Sequence, residues 1–118
     1  MMKVLVVEDN PLNMELVLEI LIMNDVIHDK ALDGKEAVRK AEKQSYDLIL
    51  MDIELPGIDG VEAAKIIKNK SKNVPIIALT SYAMKGDRER FLEAGFDDYI
   101  SKPLDLGEFL KKLEKYRK

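Results

Sequence analysis

Leu48-Ile49-Leu50-Met51-Asp52 is the stretch on which the reading of this chain turns. Four apolar residues are closed by one carboxylate, and Ile53-Glu54-Leu55-Pro56-Gly57 turns the chain at once. An unbroken apolar run of this length suits a strand covered on both faces, the habit of a parallel sheet. Asp52 then stands at the mouth of that sheet. Three other short runs end in polar residues of complementary type. Val4–Val7 leads into Glu8-Asp9, Ile76–Leu79 into Thr80, and Tyr99-Ile100-Ser101 into Lys102-Pro103. An acid pair, a single acid, a hydroxyl and an ammonium at strand ends can together bind a divalent cation and a phosphoryl group.

Working outward, short strand-like runs alternate with helical patterns along the whole chain. Lys3–Val7 reads as the first strand. Asn10 is a good N-cap and Pro11 suits the first helical position, so a helix is expected from there to about Met23. Val26–Ala31 reads as a second strand. Asp33-Gly34 opens a helix ending near Gln44, and Asp47–Met51 is the third strand. A helix over Gly60–Asn69, a strand over Val74–Leu79 and a helix over Lys85–Ala94 stopped by Gly95 follow. Asp98–Ser101 is a short fifth strand. Asp105 and Glu108 make a capping-box-like pair opening a last helix to about Tyr116.

Strict alternation predicts an α/β fold with a doubly wound, five-stranded parallel sheet; the order taken for it is 2-1-3-4-5, a flavodoxin-like (βα)5 arrangement. Residues 1–118 are expected to form one domain. Ligands of such folds sit beyond the carboxyl ends of the strands, where the strand order reverses. In this order that crevice lies between the first and third strands, which run into Asp9 and Asp52.

Composition narrows the chemistry. The chain has 118 residues, 47% of them hydrophobic and 35% charged, with 19 basic against 22 acidic side chains and a net charge of −3. That balance argues against a nucleic-acid-binding module. With no cysteine there is no disulfide, thiolate metal site or thiol nucleophile. No run approaches the roughly 18 apolar residues of a membrane span, and no signal pattern opens the chain, so a cytoplasmic protein is expected.

Glu8, Asp9 and Asp52 would gather three carboxylates in one crevice, and such a cluster either raises a pKa or recruits a cation. All-oxygen ligands suit a hard ion, Mg²⁺ before Ca²⁺. Asp52 is the candidate nucleophile toward phosphorus, with Lys102 and Thr80 reaching phosphoryl oxygens. Read as a dipeptide alone, Lys102–Pro103 is expected to be trans, since only about 5–6% of such bonds are cis.

Asp52-Ile53-Glu54-Leu55-Pro56-Gly57-Ile58-Asp59-Gly60, with Glu8-Asp9-Asn10, Thr80-Ser81 and Lys102-Pro103, resembles the receiver domain of two-component response regulators along the whole chain. The resemblance implies a phosphorylatable Asp52. It implies Mg²⁺ held by Asp9, Asp52 and the main-chain carbonyl of Glu54, with Glu8 acting through water. It also implies Thr80 and Lys102 as phosphoryl-sensing residues, Tyr99 as an aromatic switch, and a cis Lys102–Pro103 bond. Glu8-Asp9 stands where an Asp-Asp pair is commoner, and Leu55 where Met is frequent. Such a domain is not an enzyme toward other substrates; it catalyses only its own phosphorylation and dephosphorylation. Expected partners are a histidine kinase or histidine phosphotransfer protein and a downstream protein effector, with no direct contact to nucleic acid and no membrane insertion. His28, the only histidine, lies far from the motifs and is read as a surface residue.

A helical wheel over the first helix sets Leu12, Leu16, Val17, Ile20 and Met23 toward the sheet. Met14, Leu18 and Ile22 then form an outward apolar strip, expected to dock the phosphodonor protein. Three other readings compete. A receiver excised from a hybrid histidine kinase would have this same sequence. A small aspartyl-phosphate phosphohydrolase would place a second acid at Glu54 but needs a covering domain. A flavin binder would need a Ser/Thr/Gly-rich loop where Glu8-Asp9-Asn10-Pro11 stands.

Overall fold

The computed structural model describes residues 2–71, 73–81 and 87–117. Ten elements alternate: β1 (Lys3–Val7), α1 (Pro11–Met23), β2 (Ile27–Ala31), α2 (Gly34–Lys43), β3 (Leu48–Asp52), α3 (Gly60–Lys70), β4 (Ile76–Thr80), α4 (Asp87–Glu93), β5 (Asp98–Ser101) and α5 (Leu106–Lys115). The sheet is parallel in the order β2-β1-β3-β4-β5. Lys85 and Gly86, where a helix start was expected, lie outside the described residues.

Successive strand side chains point to opposite faces, so each apolar strand feeds two cores. Val4, Val6, Leu48, Leu50, Ile77, Leu79 and Ile100 pack with Val17 and Leu21 of α1 and Phe109 and Leu113 of α5. Leu5, Val7, Ile49, Met51, Ile76 and Ala78 pack with Ala37 of α2, Ala63, Ala64 and Ile67 of α3, and Phe91 of α4. At about 25 cal/mol per Å² of apolar surface, these two layers supply most of the folding drive.

Two strand boundaries shift toward the carboxyl end, and both shifts bear on the site. β3 begins at Leu48 because the Asp47 carboxylate turns aside to accept the Lys3 N–H at 2.8 Å. It continues through Asp52, which pairs in register with Leu79. β4 begins after Pro75, which has no N–H for a ladder, and runs through Thr80. Asp52 and Thr80 are therefore fixed by the sheet rather than by loops.

Helix starts follow local capping chemistry. Asn10 accepts from the N–H groups of Leu12 and Asn13. Asp33, Asp59 and Asp105 accept from Glu36, Glu62 and Glu108 respectively. Each such cap is worth about 1 kcal/mol. Gly60 has a different reason. A Cβ there would lie 2.4 Å from the carbonyl oxygen of Asp52. Only glycine lets α3 begin so close under the end of β3, and this returns the loop 53–59 over the crevice.

The expected outward strip on α1 is corrected. Met14 is buried in the core, Leu18 is half-buried against the same core, and only Ile22 is exposed. Leu12, Leu16 and Met23, expected to face the sheet, are instead exposed at 76%, 44% and 81%. The buried side is Met14, Val17, Ile20 and Leu21. The reason is compositional. The helix is apolar almost all round, so periodicity leaves its rotation undefined and packing against β1 and α5 sets it.

Candidate functional site

The carboxyl ends of β1, β3, β4 and β5 carry the polar residues into one crevice. Glu8 and Asp9 follow β1, and Asp52 and Thr80 end β3 and β4. Lys102 follows β5, its N–H bonded to the Thr80 carbonyl at 2.8 Å. Glu8, Asp52 and Thr80 are buried, whereas Asp9 is exposed at the rim. Glu8, Asp9 and Asp52 each bring a carboxylate oxygen within 4.8 Å of the others.

Lys102 ties the two buried acids. Its Nζ donates to Glu8 Oε1 at 2.8 Å and to Asp52 Oδ2 at 3.2 Å. The other Asp52 oxygen, Oδ1, accepts the Glu54 N–H at 2.9 Å. The Lys102–Pro103 bond is cis. Glu8, which the resemblance assigns to Mg²⁺ through a water, contacts the Lys102 ammonium directly.

The electrostatics separate the two carboxyls. Burial pushes Glu8 up to about 7, aided by its hydrogen bond with Asp52 and opposed by Lys102. Burial also acts to raise Asp52, but donors outweigh it. The proton retained by Glu8, the Glu54 N–H and Lys102 together hold Asp52 below the usual carboxylate range. Burial would lower Lys102, but its bond to Glu8 and the charge of Asp52 raise it. Glu8 Oε2 is buried with no donor among the described residues. In the ionised form this one oxygen lacks a donor, and it is satisfied either by a proton or by a cation. An all-oxygen donor set with a buried orphan oxygen suits a hard divalent ion. The Lys102 ammonium suits an oxyanion bound at the same mouth, and a cation there would offset the repulsion from the Asp52 carboxylate.

Thr80, wholly buried, has its hydroxyl 3.5 Å from Glu54 Oε1, and the same oxygen accepts the Ser81 N–H at 3.1 Å. Tyr99 lies on β5, half-buried. Its ring centroid is 5.6 Å from that of Phe91, and Lys112 Nζ sits 4.9 Å above it. Lys112 also bonds the Tyr99 carbonyl and pairs with Asp98 at 3.2 Å. His28 is half-buried on the edge strand β2, remote from this crevice. Two features escaped the sequence reading: the Glu54 carboxylate on Ser81, and the Lys112 ammonium on Tyr99. The i,i+4 spacing of Glu108 and Lys112 signals only their own pairing, at 3.5 Å. Nothing in sequence aims either side chain at a partner on another element.

Comparison with known proteins agrees with this geometry. The response regulator receiver domain family matches residues 4–114. The polar-differentiation response regulator DivK of Brucella anthropi is 39% identical over 115 residues, covering 96% of this chain and 94% of DivK. The receiver domain of the sensor histidine kinase PA1611 from Pseudomonas aeruginosa is 42% identical, with a TM-score of 0.89 over 98% of this chain and 96% of that one. That structure has a magnesium ion coordinated in its active-site cleft. A complex from Saccharomyces cerevisiae, of the histidine phosphotransfer protein Ypd1 with the receiver domain of its downstream response regulator Ssk1, matches at 32% identity. Its TM-score is 0.90 over 98% of this chain and 88% of that one. Five parallel strands in the order 2-1-3-4-5, an acidic crevice at their carboxyl ends and a match along almost the full chain place this protein in the response regulator receiver domain family.

Proposed function

We propose that this receiver accepts a phosphoryl group on Asp52 from a phosphohistidine of a kinase or phosphotransfer protein. The observation that carries the proposal is the split between two buried acids. Asp52 is held below the usual carboxylate range and so stays ionised, as a nucleophile must, while burial holds Glu8 up at about 7, where a cation can replace its proton. Mg²⁺ fits the donor set, with Asp9, Asp52 and the main-chain carbonyl of Glu54 as ligands and Glu8 supporting them. When bound, it would offset the negative charge of the phosphoryl oxygens.

The Asp52 carboxylate attacks phosphorus, an O–P bond forms and the N–P bond of phosphohistidine breaks. The released imidazole nitrogen takes up a proton from water. Lys102 then moves its donation from Asp52 to a phosphoryl oxygen, and the Thr80 hydroxyl reaches another. Thr80 and Tyr99 lie on neighbouring strands, with Ala78 opposite Tyr99 in register. A shift of Thr80 toward the phosphoryl group opens space that the Tyr99 ring can enter, altering the surface of α4, β5 and α5 where a protein effector would bind. The chain thereby acts on itself rather than on a separate substrate. Kinase donors draw on ATP, which sets this exchange in the cytoplasm.

The donor protein is read as docking on the exposed side of α1. Leu12, Leu16, Ile22 and Met23 are all exposed there, and the helix starts three residues after Glu8. The Ypd1–Ssk1 complex supports the kind of partner. The test is incubation with Mg²⁺ and acetyl phosphate followed by intact mass. Wild type should gain one phosphoryl mass and Asp52→Asn none; equal labelling of the variant would overturn the assignment.

A further inference from the structure

The side chain of Glu54 has no part in the reading so far, which uses only its main-chain atoms. The residue lies two positions past Asp52, on the loop that Gly60 returns over the crevice. Its carboxylate reaches across to the end of β4, where Oε1 accepts the Ser81 N–H at 3.1 Å and lies 3.5 Å from the Thr80 hydroxyl oxygen. Both contacts join the ends of β3 and β4, which are adjacent because Asp52 pairs with Leu79.

We propose that the Glu54 carboxylate is an internal competitor of the phosphoryl group, held on the Ser81 N–H at the crevice mouth and beside the Thr80 hydroxyl that a phosphoryl group on Asp52 would use. The inference rests on the reading of Asp52 as acceptor. While the Ser81 N–H holds Oε1 beside Thr80, the carboxylate stands where the Thr80 hydroxyl would turn toward a phosphoryl oxygen. The two acceptors are also both anionic and stem from residues two apart, so they repel one another in a partly desolvated crevice. Glu54 must leave Ser81 before the phosphoryl group is fully held. It can do so without burial cost, because Glu54 and Ser81 are both exposed and water takes up the released carboxylate. Glu54 is thus a positioning residue. It holds Thr80 and Ser81 in the unphosphorylated arrangement, and so lowers the yield of the switch for a given phosphoryl load.

The proposed metal ligand from Glu54 is its carbonyl, which survives any side-chain change, so Mg²⁺ can be saturated in every variant. The probe is beryllium fluoride, a stable stand-in for a phosphoryl group, titrated into the full chain at saturating Mg²⁺ and followed by amide shifts. Glu54→Ala should bind it about five- to tenfold more tightly than wild type, the scale of one ordinary hydrogen bond. Glu54→Gln should fall between, because it keeps the acceptor and loses the charge. Removing a negative charge from the crevice rim should weaken Mg²⁺ binding without the probe in both variants, so probe binding is compared at Mg²⁺ saturating for each. In the unliganded protein the Ser81 amide proton should move upfield in Glu54→Ala, as it loses a charged acceptor. Equal or weaker probe binding in both variants at saturating Mg²⁺ overturns the competition and leaves Asp52 as acceptor intact. Wild type that binds no probe at saturating Mg²⁺ overturns both.

Discussion

Raising the pH of the metal-free protein from about 5 to about 8 should remove stability from it, through linkage to Glu8. The carboxyl of Glu8 titrates near its ordinary 4.5 when unfolded and at about 7 when folded. A raised folded-state pKa means that the native protein holds the proton more tightly than the unfolded chain does. The stabilisation is complete below about 4.5 and is lost as the pH climbs through about 7. Glu8 is only 1% exposed, so solvent screening does little to discount it. At about 1.4 kcal/mol per tenfold change in proton affinity, the loss is about 3 kcal/mol. For a domain of this size that lowers Tm on the order of 10 °C. Asp52 has the opposite sign, and its contribution disappears only as the pH falls below its ordinary 3.8, outside this window. Thermal unfolding by circular dichroism in a chelator, from pH 5 to 8, reads the slope directly. Glu8→Gln cannot ionise and should flatten it. Saturating Mg²⁺ should also flatten it, because the cation takes the place of the proton. Calorimetry in two buffers near pH 6 should then show close to one proton released per Mg²⁺ bound. A Tm independent of pH in chelator, or a Glu8→Gln variant that keeps the wild-type slope, would refute a protonated Glu8.

Asp9→Ala should weaken Mg²⁺ binding at least tenfold and slow labelling by acetyl phosphate in parallel, while its metal-free form is as stable as wild type or more so, since one repelling carboxylate is gone; isothermal titration and thermal melts measure both. Lys102→Ala removes the one donor to Glu8 Oε1 found among the described residues, so the metal-free variant should need Glu8 protonated to fold fully, yet with Mg²⁺ it should still be labelled at Asp52. Its amide shifts over α4 to α5 should then fail to respond to labelling, and a normal response would refute the role of Lys102 in the switch. Leu16→Lys, on the exposed side of α1, should reduce phosphotransfer from a donor protein about tenfold or more and leave labelling by acetyl phosphate unchanged. The same change at half-buried Leu18 should lower Tm and both activities together.

Much of this protein is local chemistry and is legible without coordinates. Strand positions follow from apolar runs such as Leu48–Met51, and helix starts from Asn10, Asp33, Asp59 and Asp105, because capping and periodicity act within a few residues. The parallel order follows from strict alternation, and that order alone brings Glu8, Asp9, Asp52, Thr80 and Lys102 to one edge. Other features needed contacts between distant parts of the chain. The rotation of α1 was misread, placing Met14 outside and Leu12 inside, because a helix apolar on every side contains no phase; only packing on β1 and α5 supplies one. The direct Lys102–Glu8 bond spans 94 residues, and its effect on Glu8 comes from burial, a property of the whole fold. Glu54 shows the division within a single residue. Its position two past Asp52 marks its carbonyl for the crevice, but a loop side chain has no period to aim it. Only the approach of β4 to β3 places its carboxylate on Ser81, because the direction of an exposed rotamer is settled by the partner it meets.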